Sequence, residues 1–237
     1  MAGQRQPAQY VAYTLYRVAP EWRRLPVEER AAGKEAFAEV VAEWQERMEL
    51  RTYSLVGVRA EVDFMFWKLS EHWDDFRRLA ADLNATPLAA YLETPYSYIA
   101  ASRASKYFER EPRRPARRIV PRGAPYLVVY PFVKRREWYS LPLEDRGRAM
   151  REHAEVGSRF VTVTNHTTYS FGIDDQEFMT AFECEEPADF LELMLALRET
   201  EASRYTERDT PIFVGEAAET RSLLDSLDGA SARVAAT

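Results

Sequence analysis

The chain has 237 residues, a formal net charge of −6 and 46% hydrophobic residues, a composition typical of a globular protein with a sizeable core. The negative charge argues against nucleic acid as the main partner. We expect no membrane span, since no apolar run reaches the roughly 18 residues that such a span needs, and no secretory leader. The single cysteine, Cys184, excludes an internal disulfide and favours the cytoplasm.

An internal duplication organises the chain. At a shift of 116 residues (126 − 10), the segment beginning at Tyr10 aligns without a gap with the segment beginning at Tyr126. The first reads YVAYTLYRVAPEWRRLPVEER and the second reads YLVVYPFVKRREWYSLPLEDR. After a two-residue slip the match resumes, so that residues 63–65 pair with 177–179 and residues 75–76 pair with 189–190. A match across a whole unit with one small gap indicates two repeats of one fold.

Each repeat is predicted to run strand, helix, strand, strand, helix, strand. The first long helix is indicated by apolar residues at helical spacing: Phe37, Val40, Val41, Trp44 and Met48. In the second repeat, residues 126–134 are β-branched and aromatic and predict a strand, after which Pro142 fits the first position of a helix. The remaining predicted elements are a strand over 161–171, a helix over 189–204 and a closing strand at 212–214.

This order is the ferredoxin-like βαββαβ plan. We therefore expect an α+β fold in which two tandem repeats, at 9–102 and 126–216, pair their sheets into a β-barrel-like core with outer helices, as in dimeric α+β barrels. A basic linker is expected at 103–125 and a tail at 217–237. Residues 1–8 and about 230–237 are expected to be disordered.

Positions at which the repeats differ are candidates for added chemistry. His153 aligns with Phe37, so a histidine replaces a core aromatic residue. It is interpreted either as a hydrogen-bonded core histidine or as a metal ligand, because neutral imidazole is a common metal ligand. Tyr130 and Lys134 share one strand face, where they either meet the carboxylates of a ligand or lie at a solvated surface.

A second polar face lies on the strand predicted over 161–171. Residues of one parity there are polar, and the face is predicted to point to water or to a polar cavity: Thr162, Thr164, His166, Thr168 and Ser170. His166, which aligns with Leu50, is therefore either an exposed histidine or a group in a site. His72 receives no role. No Cys/His cluster indicates zinc, and no glycine-rich phosphate loop is present.

The linker between the repeats is locally basic. Its basic residues are Arg103, Lys106, Arg110, Arg113, Arg114, Arg117, Arg118 and Arg122. The segment is either simply solvated or attracts a ligand with several carboxylates, since arginine forks match carboxylates well.

Several of these segments together resemble the chlorite dismutase superfamily and, within it, the branch of coproheme decarboxylases. The resemblance rests on YPFVK at 130–134, EWY at 137–139, REH at 151–153, HTTYSFGIDD at 166–175 and FVG at 213–215. It covers roughly residues 10–216 and implies two ferredoxin-like repeats with the porphyrin bound in the second.

The resemblance also implies roles for individual residues. It makes His153 the iron ligand, Tyr130 the tyrosine whose radical starts propionate decarboxylation, and Lys134 a propionate contact. It implies further propionate contacts at Arg118 or Arg122, Arg198, Ser203 and Tyr98. His166 falls at the position above the open face of the iron, where it would act as a base toward peroxide. Chlorite-splitting members have arginine there, so the histidine argues against chlorite chemistry.

The function implied by the resemblance is conversion of iron coproporphyrin III, as substrate and redox cofactor, to haem b with hydrogen peroxide. The implied assembly is a homopentamer, with transient contact to ferrochelatase. The alternatives are a chlorite dismutase-like or peroxidase-like haem enzyme, a non-catalytic haem-binding protein, and a cofactor-free oxygenase on the same fold.

Overall fold

The computed structural model describes residues 9–105, 107 and 118–229. The chain divides into two compact units. Among the described residues, the N-terminal unit comprises 10–98 and 215–229, and the C-terminal unit comprises Gln9 and those from 99 to 214. Both are mixed units of helices and antiparallel strands, as expected for an α+β fold. No helix in these described ranges is long and apolar enough to cross a membrane.

The N-terminal unit follows the predicted order of elements. It contains β1 (Tyr10–Val18), a 3-10 helix (Pro20–Arg24), α1 (Val27–Gln45), β2 (Glu49–Ser54), β3 (Phe64–Ser70), α2 (Asp74–Asn84), a second 3-10 helix (Pro87–Tyr91) and β4 (Leu92–Ala101), whose last residues, from Ile99, belong to the C-terminal unit. The strands lie in the order β4-β1-β3-β2.

The C-terminal unit contains the elements from β5 to the start of β10. They are β5 (Tyr126–Lys134), α3 (Arg136–Ser140), α4 (Leu143–Gly157), β6 (Val163–Asn165), β7 (Thr168–Tyr169), β8 (Phe178–Cys184), α5 (Pro187–Arg198), a 3-10 helix (Glu201–Tyr205), β9 (Thr206–Arg208) and β10 (Phe213–Ala217). β8 pairs with β5 on one side and with β6 and β7 on the other, while β10 follows β5 in the strand order.

Several boundaries differ from the predictions: α1 ends at Gln45, before Met48, and β10 runs over Phe213–Ala217 rather than 212–214. Pro142 is the N-cap residue rather than the first helical residue, and α4 begins at Leu143. The strand predicted over 161–171 is two short strands, because the Asn165 side chain accepts hydrogen bonds from the N–H and hydroxyl of Thr167 and so competes with the strand ladder. The helix predicted over 189–204 ends as an α-helix at Arg198 and is followed by a 3-10 turn.

The tail predicted at 217–237 includes a helix, α6 (Thr220–Ser226), which belongs to the N-terminal unit. Leu223 and Leu224 are buried in the core of that unit, and Lys34 of α1 forms ion pairs with Asp225 and Asp228 beside them. Both predicted disordered ends, 1–8 and 230–237, lie outside the described residues, as do linker residues Lys106, Arg110, Arg113, Arg114 and Arg117.

Candidate functional site

A cleft of about 270 Å³, open to solvent, lies in the C-terminal unit. One wall is a sheet face: β5 contributes Tyr130, Phe132 and Lys134, and β8 contributes Phe178, Thr180 and Phe182. These residues share a face because Tyr130 is directly opposite Thr180 and Phe132 is opposite Phe178 in the antiparallel ladder. Helices α4 and α5 supply the opposing side chains, including Met150, His153, Met194 and Leu197.

His153 projects into this cleft from α4. Its Nδ1 lies 2.9 Å from the hydroxyl oxygen of Thr200. Burial, with a smaller contribution from the nearby positive charge of Lys134, lowers the pKa of His153 to about 4. The imidazole is therefore neutral near neutral pH, which is the form that binds a metal ion.

Tyr130 is a buried phenol in the same wall, with only 4% of its surface exposed. Its ring stacks on Phe182 at a centroid distance of 6.1 Å, and its hydroxyl lies 3.8 Å from the sulfur of Met194. Burial raises the pKa of Tyr130 to about 12. The side chain therefore keeps its O–H near neutral pH.

Lys134 is a buried cation that lines the cleft at the end of β5. Its ammonium group donates a hydrogen bond to the carbonyl oxygen of Ala202 over 2.6 Å and lies 4.7 Å from the ring centroid of Trp138. Burial lowers the pKa of Lys134 to about 8, although the charge of Glu177 opposes this shift. The ammonium is available to a carboxylate below that pH.

More charged and polar groups lie around the cleft. Arg198 is half-exposed and pairs with Asp209, and both line the cleft together with Ser203. The Ser203 hydroxyl donates to the carbonyl oxygen of Arg198 over 2.6 Å. Arg103, the first of the linker arginines, also lines the cleft and lies over the ring of Tyr169.

His166 is not part of this cleft. Its Nε2 lies 2.7 Å from a carboxylate oxygen of Glu183, and both side chains are buried. Burial opposes ionisation of Glu183, but hydrogen bonds from His166 and from the N–H groups of Arg122 and Gly123 hold its pKa below the usual value. This pairing corrects the hypothesis that His166 faces the reaction site as a base, because the imidazole is enclosed with Glu183 instead.

The prediction about the same strand face was wrong for Thr168 and Ser170, while Thr162 is exposed to solvent, as one of the two alternatives expected. Asn165, Thr167 and Tyr169 line the cleft, whereas Thr168 and Ser170 are fully buried. The buried hydroxyls donate to backbone carbonyls, that of Thr168 to Met179 and that of Ser170 to Ile99. This face was predicted to point to water or to a polar cavity, but the hydroxyls of Thr168 and Ser170 are hydrogen-bonded inside the protein.

Three other predicted contacts lie elsewhere. Arg118 and Arg122 are exposed and absent from the cleft lining, and the backbone N–H of Arg122 is bonded to Glu183. Tyr98 belongs to the N-terminal unit, where it stacks on Tyr96 at a centroid distance of 6.3 Å. Of the predicted site residues, the cleft therefore brings together His153, Tyr130, Lys134, Arg198 and Ser203.

Sequence reasoning missed Thr180, Thr200 and Asp209. Thr180 could have been found, because it aligns with Phe66 and a threonine replaces a core aromatic residue there. Thr200 could not be found as a difference between the repeats, because it aligns with Thr86, an identical residue. Asp209 follows the aligned segments and forms its pair with Arg198 only in the folded chain.

Comparison with known proteins identifies the class. Residues 6–218 match the family described as chlorite dismutase, and the chain belongs to that family. The structure is similar to that of chlorite dismutase from Candidatus Nitrospira defluvii in complex with imidazole, with a TM-score of 0.83 and 24% identity over 94% of this chain and 96% of the other.

Two relatives are described by a more specific role. The chain is 31% identical to a coproheme decarboxylase from Mycolicibacterium smegmatis over 176 residues, which are 74% of this chain and 75% of that protein. It also resembles a solved structure from Thermus thermophilus described as a novel haem-binding protein, with a TM-score of 0.84 and 25% identity over 93% of this chain and 95% of the other.

Proposed function

We propose that this protein binds iron coproporphyrin III in the cleft of its C-terminal unit and converts it to haem b by peroxide-dependent decarboxylation of two propionates. The observation that carries the proposal is that a neutral imidazole, a protonated phenol and a buried ammonium group line one cleft: His153, Tyr130 and Lys134. The similarity to a coproheme decarboxylase supports the choice of substrate.

The cleft suits an iron porphyrin chemically. Its walls are rich in apolar side chains, such as Phe132, Phe178 and Phe182, which favour the faces of a large flat ring. His153 would supply an imidazole ligand to the iron, and the cations Lys134 and Arg198 would meet carboxylates. Among the residues that line the described cleft, His153 would be the protein group that holds the iron.

The reaction removes carbon dioxide from a propionate and leaves a vinyl group. For each propionate, one hydrogen peroxide and one proton are consumed, and one carbon dioxide and two waters are formed. When bound, the iron porphyrin supplies the redox chemistry with peroxide. Tyr130 would serve as the hydrogen-atom acceptor once oxidised, because its phenol is protonated, buried and part of the cleft wall.

Lys134 and Arg198 would position the propionates in this scheme. The position of the Lys134 ammonium group is fixed, because it donates a hydrogen bond to the carbonyl oxygen of Ala202 and packs over the ring of Trp138. Arg198 is already paired with Asp209, so a propionate would share or displace that partner. His166 has no part in the proposal, because its imidazole is buried against Glu183.

We further propose that the two units are repeats of one fold. The order β4-β1-β3-β2 in the N-terminal unit resembles the order of β10, β5, β8 and the β6/β7 pair in the C-terminal unit. This shared order supports two ferredoxin-like repeats, for which the boundaries 9–102, 103–125 and 126–216 stay predictions. The homopentamer, the contact with ferrochelatase and the cytoplasmic location also stay predictions.

The test is to mix the protein with iron coproporphyrin III, add hydrogen peroxide and follow the porphyrin by mass spectrometry. Loss of two carbon dioxide units with their hydrogens supports the proposal. A stable complex whose porphyrin mass never changes would instead identify a haem-binding protein. Release of oxygen from added chlorite, without a mass change under peroxide, would identify a chlorite dismutase.

Tyr130→Phe sharpens this test. The variant should bind iron coproporphyrin III with an affinity close to that of the parent protein, because the ring remains, and should fail to decarboxylate it, because no O–H is left. Tyr139→Phe is the matched control: Tyr139 lies outside the cleft lining and donates its hydroxyl to Glu177. Loss of turnover in the Tyr139 variant with normal turnover in the Tyr130 variant would move the radical to Tyr139.

A further inference from the structure

Thr200 lies behind the proposed iron ligand and outside the cleft. It occupies the junction between α5 and the following 3-10 turn and is only 2% exposed. Its hydroxyl oxygen lies 2.7 Å from the carbonyl oxygen of Leu197 and 2.9 Å from Nδ1 of His153. One hydroxyl therefore contacts two groups, and the direction of each hydrogen bond can be worked out.

A hydroxyl group has a single hydrogen to donate. The Leu197 carbonyl has none, so the 2.7 Å contact requires the hydrogen of Thr200 to point at Leu197. If the hydrogen pointed at His153 instead, two oxygen atoms would face each other at that distance with nothing between them. The Thr200 oxygen consequently accepts a hydrogen bond, and Nδ1 of His153 is the donor.

We propose that Thr200 is a positioning residue that holds His153 in the tautomer protonated at Nδ1, so that the lone pair of Nε2 is available to iron. The inference rests on the proposed role of His153 as the iron ligand. Metal-bound histidines commonly donate their second nitrogen to an outer partner, which fixes both tautomer and ring orientation. Here the outer partner is a neutral hydroxyl whose own hydrogen is committed to a backbone carbonyl.

The N-terminal unit contains the same hydroxyl without the histidine. Thr86, which aligns with Thr200, donates to the carbonyl oxygen of Leu83 over 2.7 Å and is also buried. Phe37 stands at the position equivalent to His153. The hydroxyl-to-carbonyl contact is thus a feature of both helix ends, and only the C-terminal unit adds an imidazole that uses its remaining acceptor.

The first experiment needs no porphyrin. In protein labelled with ¹⁵N-histidine near neutral pH, NMR reports which ring nitrogen of each of the three histidines carries the proton, with resonances assigned by substituting each histidine in turn. We expect His153 to be protonated at Nδ1, although imidazole in water favours the other tautomer. A His153 protonated at Nε2 in the parent protein overturns the proposal.

Variants separate this role from a purely structural one. Thr200→Val should shift His153 toward the Nε2–H form, and Thr200→Ser should restore the Nδ1–H form because it keeps the hydroxyl. Thr86→Val, the matched control, removes the equivalent hydroxyl and should leave the His153 resonances unchanged. A Thr200→Val variant whose His153 keeps its proton on Nδ1 overturns the proposal.

Iron porphyrin binding gives the second readout. Thr200→Val should weaken binding of ferric coproporphyrin by about 10- to 100-fold and alter the iron–imidazole vibration, while Thr86→Val should do neither. Equal affinities for Thr200→Val and the parent protein would contradict the proposal. A parent protein with the expected tautomer that takes up no iron porphyrin would refute the proposed function and leave the tautomer assignment intact.

Discussion

Equivalent positions are packed into the core in the N-terminal unit but line a cleft in the C-terminal unit. In the N-terminal unit, Phe37 and Phe66 are fully buried in a cluster with Phe64. In the C-terminal unit, the aligned residues are His153 and Thr180, and both line an open cleft. Where the first unit packs two aromatic rings, the second has an imidazole and a small hydroxyl side chain.

The strand register explains why so few substitutions matter. Thr14 is opposite Phe66 in the N-terminal unit, just as Tyr130 is opposite Thr180 in the C-terminal unit. The backbone frame is thus equivalent, and at position 180 a threonine lines the cleft together with Tyr130 where the N-terminal unit has the larger Phe66. The comparison teaches that a ligand site can arise at a core position when the side chains that would fill it are shortened or made polar.

The largest effect is expected when the iron ligand is replaced by its counterpart. His153→Phe should weaken iron coproporphyrin binding by more than about 100-fold, beyond what loss of an outer partner costs, because no other imidazole lines the described cleft. Optical titration with ferric coproporphyrin measures this. His72→Phe, at an exposed histidine outside the cleft, is the control. An intact iron–imidazole band in His153→Phe would disprove the ligand assignment.

Thr180→Phe introduces the residue that the N-terminal unit has at the equivalent position, Phe66, and tests whether this ring closes the cleft. The added ring should occupy the space beside Tyr130 and reduce porphyrin affinity by about 10- to 100-fold, with the unliganded fold kept. Optical titration with the porphyrin measures the affinity, and thermal unfolding of the unliganded variant checks that the fold is kept. Thr180→Val, which removes the hydroxyl bonded to the Tyr130 carbonyl without adding bulk, should retain most of the affinity. Unchanged binding by Thr180→Phe would place the porphyrin elsewhere.

A buried lysine in each unit allows a comparison of pH dependence. Burial lowers the pKa of both Lys134 and Lys68 to about 8, but only Lys134 lines the cleft. As pH rises through 8, Lys134 loses its charge, so affinity for a carboxylate-bearing iron porphyrin should fall by about 10-fold. Lys134→Gln should abolish this step and Lys68→Met should leave it. If the affinity of Lys134→Gln still falls as pH rises through 8, another group is responsible for the pH dependence.

The same shifts predict the effect of pH on stability. Each folded pKa is below the unfolded value, so between about pH 8 and the usual lysine value the unfolded chain binds more protons than the native protein. The free energy of unfolding should therefore rise with pH across that window. Urea unfolding at several pH values measures it, and each lysine variant should flatten the rise.

The smallest effect is expected at the rim of the cleft. Arg198 stands where the N-terminal unit has Asn84, and it is held by Asp209. Asp209→Asn should free the guanidinium and tighten binding of a carboxylate porphyrin by about two- to five-fold. Asp145→Asn, which breaks the exposed pair with Arg148 outside the cleft, is the control. Equal tightening for an iron porphyrin without carboxylates would contradict this explanation.

The sequence by itself determined the duplication, the order of elements and the main candidates. His153, Tyr130 and Lys134 were visible because they differ from Phe37, Thr14 and Val18 at aligned positions. The family was also predicted from sequence, and the match over residues 6–218 confirms it. These features depend on local or repeated residue patterns, so they can be recognised from the sequence alone.

Only the tertiary structure decided which polar residues face the cleft. His166 and Asn165 are adjacent in sequence, but a strand sends neighbouring side chains to opposite faces, and both faces here are polar. Hydrophobic patterning could not choose between them, because a buried polar face with satisfied hydrogen bonds looks like an exposed one. The contacts of His153 with Thr200 and of Arg198 with Asp209 likewise depend on how helices and turns pack, which no residue spacing records.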